Sequence, residues 1–350
     1  MATDNKTNRP EVFEEESVSL NPLQGKKVAI LGYGSQGRAQ SLNLRESGIE
    51  VVVGARSRSL TGARAVEDGM AVLSVSDAAA AGDIVVFLVP DEAMAGLYEK
   101  WVAPNLKSDA CLAFAHGFAL VFEQIVPDPD RACFLVAPKG QGDMLREAYQ
   151  RGGGLPSLIA VTDDSPADTW NLAAAYAKAI GCLKGGGFPT TFREECISDQ
   201  FGEQVVLCGG VVELLQAAFN LLTERGYAAE NAYFECVHEL KLIADLLHRY
   251  GLEGMRKRIS RTAAFGGLTR GPRVIDRKVR TRMARILDEI ESGTFAEEFL
   301  TKYSDPAIGI LPLAAREAES PLARTGRALH QRLEALNLDN RNNGRSQDER

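Results

Sequence analysis

The run KVAILGYGSQGRAQSLNLRES, residues 27–47, constrains the fold more than any other stretch. Five residues that read as a strand lead into three glycines, Gly32, Gly34 and Gly37, and a helical pattern begins at once. In a strand–turn–helix unit such glycines permit the tight turn, the close approach of backbone to a pyrophosphate and the close packing of helix on strand. The helix N-terminus then attracts the phosphate charge. The spacing therefore predicts a dinucleotide-binding α/β domain with GYGSQG, residues Gly32, Tyr33, Gly34, Ser35, Gln36 and Gly37, at the cofactor.

The residues around this unit extend the pattern. EVVVGA, DIVVFLVP, ACLAFA, CFLVAP and SLIAVT alternate with helical segments, which predicts a doubly wound, mainly parallel sheet covered on both faces. The second strand ends VVVGARSRSLTG and offers no acid for the ribose hydroxyls of NAD. Arg56, with Ser59 and Thr61, instead supplies a cation and hydroxyl donors suited to a 2′-phosphate, so NADPH is the expected cofactor. The competing reading takes Arg56 and Arg58 as solvated loop residues.

A helix is expected from about Ala167 to Ile180, and the glycine-rich GCLKGGGFPTT marks a boundary near residue 190. Beyond it strand patterns nearly vanish. Helical periodicity runs through 199–224, 229–250, 276–292 and 320–336, with Gly251 placed to cap the second of these helices. The expected organisation is a flexible segment 1–22, a Rossmann-like domain 23–190, an all-α domain 191–336 and a disordered tail 337–350.

Chemistry in the helical half centres on four acids. The segment DQFGEQVVLCGGVVELLQAAFNLLTERG repeats apolar residues at Phe201, Val205, Cys208, Val212, Leu215, Phe219 and Leu222, which predicts a buried helix. Asp199 and Glu203 are spaced four apart at its start, and Glu235 and Glu239 repeat the spacing in YFECVHELKLIADLLHRY. Ionised carboxylates on apolar helices need a cation or dense hydrogen bonding to be tolerated. All four are hard oxygen donors without a zinc-type Cys/His spacing, so two Mg2+ ions are the expected occupants. The competing reading, four surface acids, fits poorly with helix faces this apolar. His238 projects from a different face and reads as structural.

Composition narrows the remaining classes. At 350 residues and 45% hydrophobic the chain holds two domains with ample core. A net charge of −7 argues against nucleic acid or an anionic membrane as partner, and no run of about 18 uninterrupted apolar residues is present. The six cysteines lack CxxC spacing and read as reduced core residues, and no secretory signal is apparent, so a cytoplasmic protein is expected.

Together GYGSQG, LVPDE, AFAHGF, VAPKG, GGGLPSLIAV, FGEQVVLCGG, YFECVHELKLI and GPRVID resemble the ketol-acid reductoisomerase family in its short form, over about residues 23–330. The resemblance implies an NADPH- and magnesium-dependent enzyme of branched-chain amino-acid synthesis. It would convert 2-acetolactate or 2-aceto-2-hydroxybutyrate to the 2,3-dihydroxy acid by alkyl migration and reduction. Asp199 would bridge two ions, Glu203 would bind one and relay a proton, Glu235 would hold the second, and Glu239 would meet substrate or a metal-bound water. Ser260 would bind the substrate carboxylate, His116 and Lys139 would lie near the nicotinamide, and Asp91 and Gly142 would line the cofactor site. The helical domain would be knotted, and two chains would intertwine so that each site takes Asp199 and Glu203 from one and Glu235 and Glu239 from the other.

The match departs from the family pattern in places. Arg38 and Gln40 replace two histidines, Gln141 and Asp143 replace a proline and a histidine, and Arg261, Ala264 and Phe265 replace Asn, Glu and Tyr beside Ser260. Polar complementarity dominates discrimination among small substrates. The alternative readings are therefore a divergent member acting on a different keto acid and a non-catalytic NADPH-binding protein.

Overall fold

The computed structural model describes residues 10–56 and 59–345, the side chains of 336–345 excepted; Arg58 lies outside them. The chain divides into two compact units, one to Ser198 and one from Asp199. The division falls inside a helix.

The first unit is built on an eight-stranded sheet. Its strands are β1 Lys27–Leu31, β2 Glu50–Gly54, β3 Ala71–Leu73, β4 Ile84–Phe87, β5 Cys111–Phe114, β6 Cys133–Pro138, β7 Ser157–Val161 and β8 Gly187–Pro189. They are ordered β3-β2-β1-β4-β5-β6-β7-β8, and all pair in parallel except β6 with β7. The apolar strands carry near-continuous Val, Ile and Leu because both faces are covered. Val28 and Ile30 of β1 enter one core cluster, Ala29 and Leu31 the other.

Helices α1 Ser35–Glu46, α6 Gly142–Gln150 and α7 Thr169–Ala179 contribute to the first cluster. Helices α2 Leu60–Glu67, α3 Val75–Ala81, α4 Asp91–Leu97 and α5 Phe118–Val121 complete the crossovers, with Ala78, Ala79, Met94 and Ala119 in the second cluster. Strands β3 and β8 escape the sequence pattern because each has three residues. Both are sheet edges, where the Gly and Pro of β8 are tolerated. The segment expected to be loose is tied down from Phe13, which pairs with Gly187 through hydrogen bonds of 2.8 and 2.9 Å. Lys178 Nζ also donates to the Glu15 and Val18 carbonyls. Residues 1–9 lie outside the described residues.

Helix α8, Phe192–Gly202, crosses the division. The second unit then contains α9 Gly210–Glu224, α10 Ala229–Tyr233, α11 Glu239–Arg256, α12 Arg261–Val274, α13 Arg277–Glu291, α14 Thr294–Lys302, α15 Ile310–Ala318 and α16 Pro321–Arg345. Two π-helical segments, Glu203–Leu207 and Phe234–His238, interrupt what the sequence reads as two continuous helices. Around the first, a Cβ at Gly209 or Gly210 would fall 2.0 Å from the Gln204 carbonyl oxygen or 1.9 Å from that of Val205, which explains the paired glycines. Gly251, at φ +63°, is a non-helical kink that separates two helical runs within Glu239–Arg256. Helix α16 continues past Asn337, because a sequence without an apolar face but also without proline can keep helical backbone bonds.

The expected burial of the second unit's helices is not met within one chain. Of the apolar row in the first helix only Val205 and Phe219 are buried, and Cys208 is exposed. The unit's buried cluster is small: Phe219, Ala232, Tyr233 and Leu329. Large apolar side chains remain open on α9, α11, α12 and α15, from Leu240 at 36% to Leu311 at 82%. By length and mean composition alone the stretch Phe192–Glu224 is long and apolar enough to cross a membrane, with 11% of its apolar window buried, although charged residues interrupt it as the sequence shows.

Candidate active site

The carboxyl ends of the parallel strands carry the first unit's chemistry. From β1 the connection to β2 leads to one side, while β4 lies on the other, so the strand order reverses beside β1. A crevice at that point is where open α/β sheets bind ligands. Here the three glycines divide their labour as the motif predicts. Gly32 has φ +98° and no room for a side chain against the Leu88 carbonyl, and a Cβ on Gly37 would fall 2.3 Å from the Gly32 oxygen. A Cβ on Gly34, the exposed N-cap of α1, would meet nothing within 4 Å, so the space beside this backbone is open.

Two side chains expected at the cofactor are committed within the fold. Tyr33 is 1% exposed and donates its phenol to Asp68 Oδ2 at 3.0 Å; its hydroxyl is held protonated first by burial and then by that bond. Gln36 Nε2 donates to the Gly140 carbonyl at 2.9 Å, joining the glycine loop to the turn after β6. Gly142 starts α6 and packs so tightly on the same loop that a Cβ would come 2.2 Å from the Ser35 carbonyl oxygen. Past β2, Arg56 and Thr61 are exposed, and Ser59 caps α2 by accepting from Gly62 N at 3.0 Å. Ser59 Oγ also lies 3.3 Å from Thr61 Oγ1, and either hydroxyl can be the donor in that pair. Asp91 opens α4 after β4, partly buried.

His116 follows β5 and Lys139 follows β6, and one carboxylate binds both. Glu195 of α8, 1% exposed, accepts from Lys139 Nζ at 3.1 Å through one oxygen. Its other oxygen accepts from the Gly117 amide at 2.9 Å and faces His116 Nδ1 at 3.1 Å. The helix reaches this turn because Gly117 has no side chain; a Cβ there would fall 2.4 Å from the Phe192 oxygen. Burial opposes a charge on His116, but hydrogen bonds to Cys196 and Glu195 and the carboxylate's charge outweigh it and push the imidazole up to about 11. Burial likewise opposes ionisation of Glu195, yet His116 and Lys139 hold it below its usual range. An imidazolium and an ammonium are thus fixed around one buried anion at the mouth of the strands.

Glu195 is a buried residue of this candidate site that the sequence reading missed. It lies four residues before Asp199, so the row of acids at spacing four begins one turn earlier.

The four expected metal ligands belong to the second unit. Asp199 is partly buried near the end of α8, and Glu203 is exposed where the first π segment begins. Glu235 is exposed within the other π segment, and Glu239, also exposed, opens α11. Each pair is therefore associated with a π-helical turn, a rare geometry concentrated at functional sites. Among the described residues, no three of these four carboxylates approach within 4.8 Å of one another in a single chain. Ser260 is exposed as the N-cap of α12, where its Oγ accepts from Ala263 N at 3.1 Å; Arg261 and Phe265 beside it are also exposed.

Comparison with known proteins accounts for both units in turn. Residues 22–186 match the NADPH-binding domain of acetohydroxy acid isomeroreductase, and residues 192–335 the C-terminal domain of ketol-acid reductoisomerase. A ketol-acid reductoisomerase (NADP(+)) from Kineococcus radiotolerans is 45% identical over 329 residues, 94% of this chain and 96% of the relative. An NADH-preferring ketol-acid reductoisomerase from an uncultured archean superposes with a TM-score of 0.87 at 39% identity, covering 92% of this chain and 99% of that one. A semialdehyde dehydrogenase NAD-binding protein from Cupriavidus necator, 19% identical with a TM-score of 0.59 over 77% of this chain and 98% of its own, shares the fold. With both domains matched in order, the chain belongs to the ketol-acid reductoisomerase family and is an enzyme of that class.

Proposed function

We propose that this enzyme converts 2-acetolactate or 2-aceto-2-hydroxybutyrate to the 2,3-dihydroxy acid, using NADPH and two Mg2+ ions, as a cytoplasmic homodimer in valine and isoleucine synthesis. One observation carries the reading: His116 and Lys139 are held on buried Glu195 at the same strand ends as the open glycine loop. The bound groups would supply a hydride and Lewis-acid polarisation of neighbouring substrate oxygens.

The protein's own residues do the rest. Asp199, Glu203, Glu235 and Glu239 provide oxygen donors suited to magnesium, and Glu203 relays the proton of the substrate hydroxyl. Ser260, at the N-terminus of α12, donates to the substrate carboxylate, where the helix end also favours negative charge. His116 and Lys139 present fixed positive charge towards oxygens that gain electron density during migration and reduction. Arg56, Ser59 and Thr61 bind the 2′-phosphate that distinguishes NADPH from NADH.

A homodimer is supported by the apolar faces of the second unit, which one chain leaves open although its own buried cluster is small. Pairing also supports the metal site, since a partner's Glu235 and Glu239 can meet Asp199 and Glu203, no three of which gather in a single chain among the described residues.

The test is NADPH consumption with racemic 2-acetolactate, with and without Mg2+, beside the rearranged 3-hydroxy-2-keto acid. Metal-dependent turnover of acetolactate is expected. Turnover of the rearranged acid alone would reassign the protein as a plain reductase.

A further inference from the structure

The helix that follows the proposed 2′-phosphate residues is weakly embedded. Of α2 only Gly62 and Ala65 are buried, while Leu60 is 91% exposed. Apolar packing therefore does little to fix its N-terminus, where Ser59 and Thr61 lie. Its other end is held differently. Asp68, directly after α2, accepts from Arg38 Nε at 2.6 Å and Nη2 at 3.0 Å in a bidentate pair, and from the Tyr33 phenol at 3.0 Å. Arg45 Nη1 also donates to the Asp68 carbonyl at 2.8 Å.

We propose that Asp68 is a positioning residue for cofactor selection: by clamping the end of α2 to Arg38 and Arg45 of α1 and to Tyr33 of the glycine loop, it sets where Ser59 and Thr61 meet the 2′-phosphate. The inference rests on the reading of Arg56, Ser59 and Thr61 as the phosphate group's binding site. The geometry supports transmission along α2 because the helix is short, with Ser59 capping one end and Asp68 the other. Charge-assisted bidentate bonds are also directional, so Asp68 fixes the orientation of the helix as well as its distance. Ordinary carboxylate behaviour is shifted accordingly: the Arg38 bond, against the opposing effect of burial, holds Asp68 below its usual range.

Only a cofactor carrying the 2′-phosphate draws on Ser59 and Thr61, so the effect must be selective. In the full-length enzyme, Asp68→Asn is expected to raise KM for NADPH roughly tenfold and KM for NADH less than about twofold, with kcat nearly unchanged, as for loss of part of a charged hydrogen-bond set. Arg38→Gln removes the same clamp from the other side and must give the same selective change, which keeps the test decisive if Asp68→Asn does not fold. Equal rises for both cofactors, or no change in either variant, overturn the inference. Arg56→Ala measured in parallel separates the two layers. If Arg56→Ala erodes NADPH preference while the Asp68 and Arg38 variants do not, the clamp alone is wrong; if Arg56→Ala leaves the preference intact, the phosphate reading and the clamp fall together.

Discussion

The two units bury apolar surface in different ways. The first covers both faces of its sheet from its own sequence, so that β1, β4, β5 and β6 are buried almost throughout. The second encloses four residues in its cluster and leaves Leu221, Leu252, Phe265 and Leu311 open. Fully burying a large aliphatic or aromatic side chain contributes about 1.5 to 3 kcal/mol, so these open faces represent stabilisation that only a further surface can supply. The first unit is thus self-sufficient in its core, and the second is where the proposed partner chain would pack.

The sharpest break to that contrast comes from Glu195. Glu195→Ala strips the anion from two cationic side chains and should lower kcat by about 10²- to 10⁴-fold, the range for a lost acid–base arrangement, while far-UV circular dichroism stays native. Near-normal turnover would mean that His116 and Lys139 need no such anchor.

Core truncations probe the contrast as stability. Phe219→Ala removes the largest side chain of the second unit's cluster that is fully buried and should cost about 3 to 5 kcal/mol, read by denaturant unfolding. Truncating open Leu214 and Leu221 together to Ala should leave the secondary structure intact but shift light scattering from dimer towards monomer. A dimer unaffected by both changes would place the interface elsewhere.

The pH dependence of the first unit is a smaller effect with a fixed sign. The folded pKa of Glu195 lies below its ordinary 4.5, so its contribution is present above that value and lost as pH falls through the lower folded one. The folded pKa of His116 is raised from 6.5 to about 11, so its contribution is complete below 6.5 and lost as pH rises towards 11. Thermal melts should therefore weaken on both limbs, and Glu195→Gln should flatten them. Smaller still, Gly142→Ala forces α6 away from the Ser35 carbonyl and should weaken NADPH binding about tenfold by calorimetry, a loss of roughly 1.4 kcal/mol.

What could be read in the sequence follows the physics of each feature. The glycine loop was legible because each glycine answers a backbone requirement, and the buried strands because their apolar runs are long. Strands β3 and β8 were not, being three-residue edges. The two π segments leave no periodicity signal in five residues, and Glu195 was passed over because its value lies in contacts with His116 and Lys139, 79 and 56 residues away. Least legible was what covers the helices from Asp199 onward. Apolar periodicity reports that a face avoids water, and it is the same whether that face turns inward or towards a second chain.

The central claim is that a working site draws its acids from two chains, and subunit mixing tests it directly. Asp199→Asn and Glu239→Gln should each be inactive alone. Unfolded together and refolded as a mixture, they should recover about a quarter of wild-type activity, since random pairing makes half the dimers mixed and two-fold symmetry leaves one intact site in each. A mixture as inactive as its components would contradict the account.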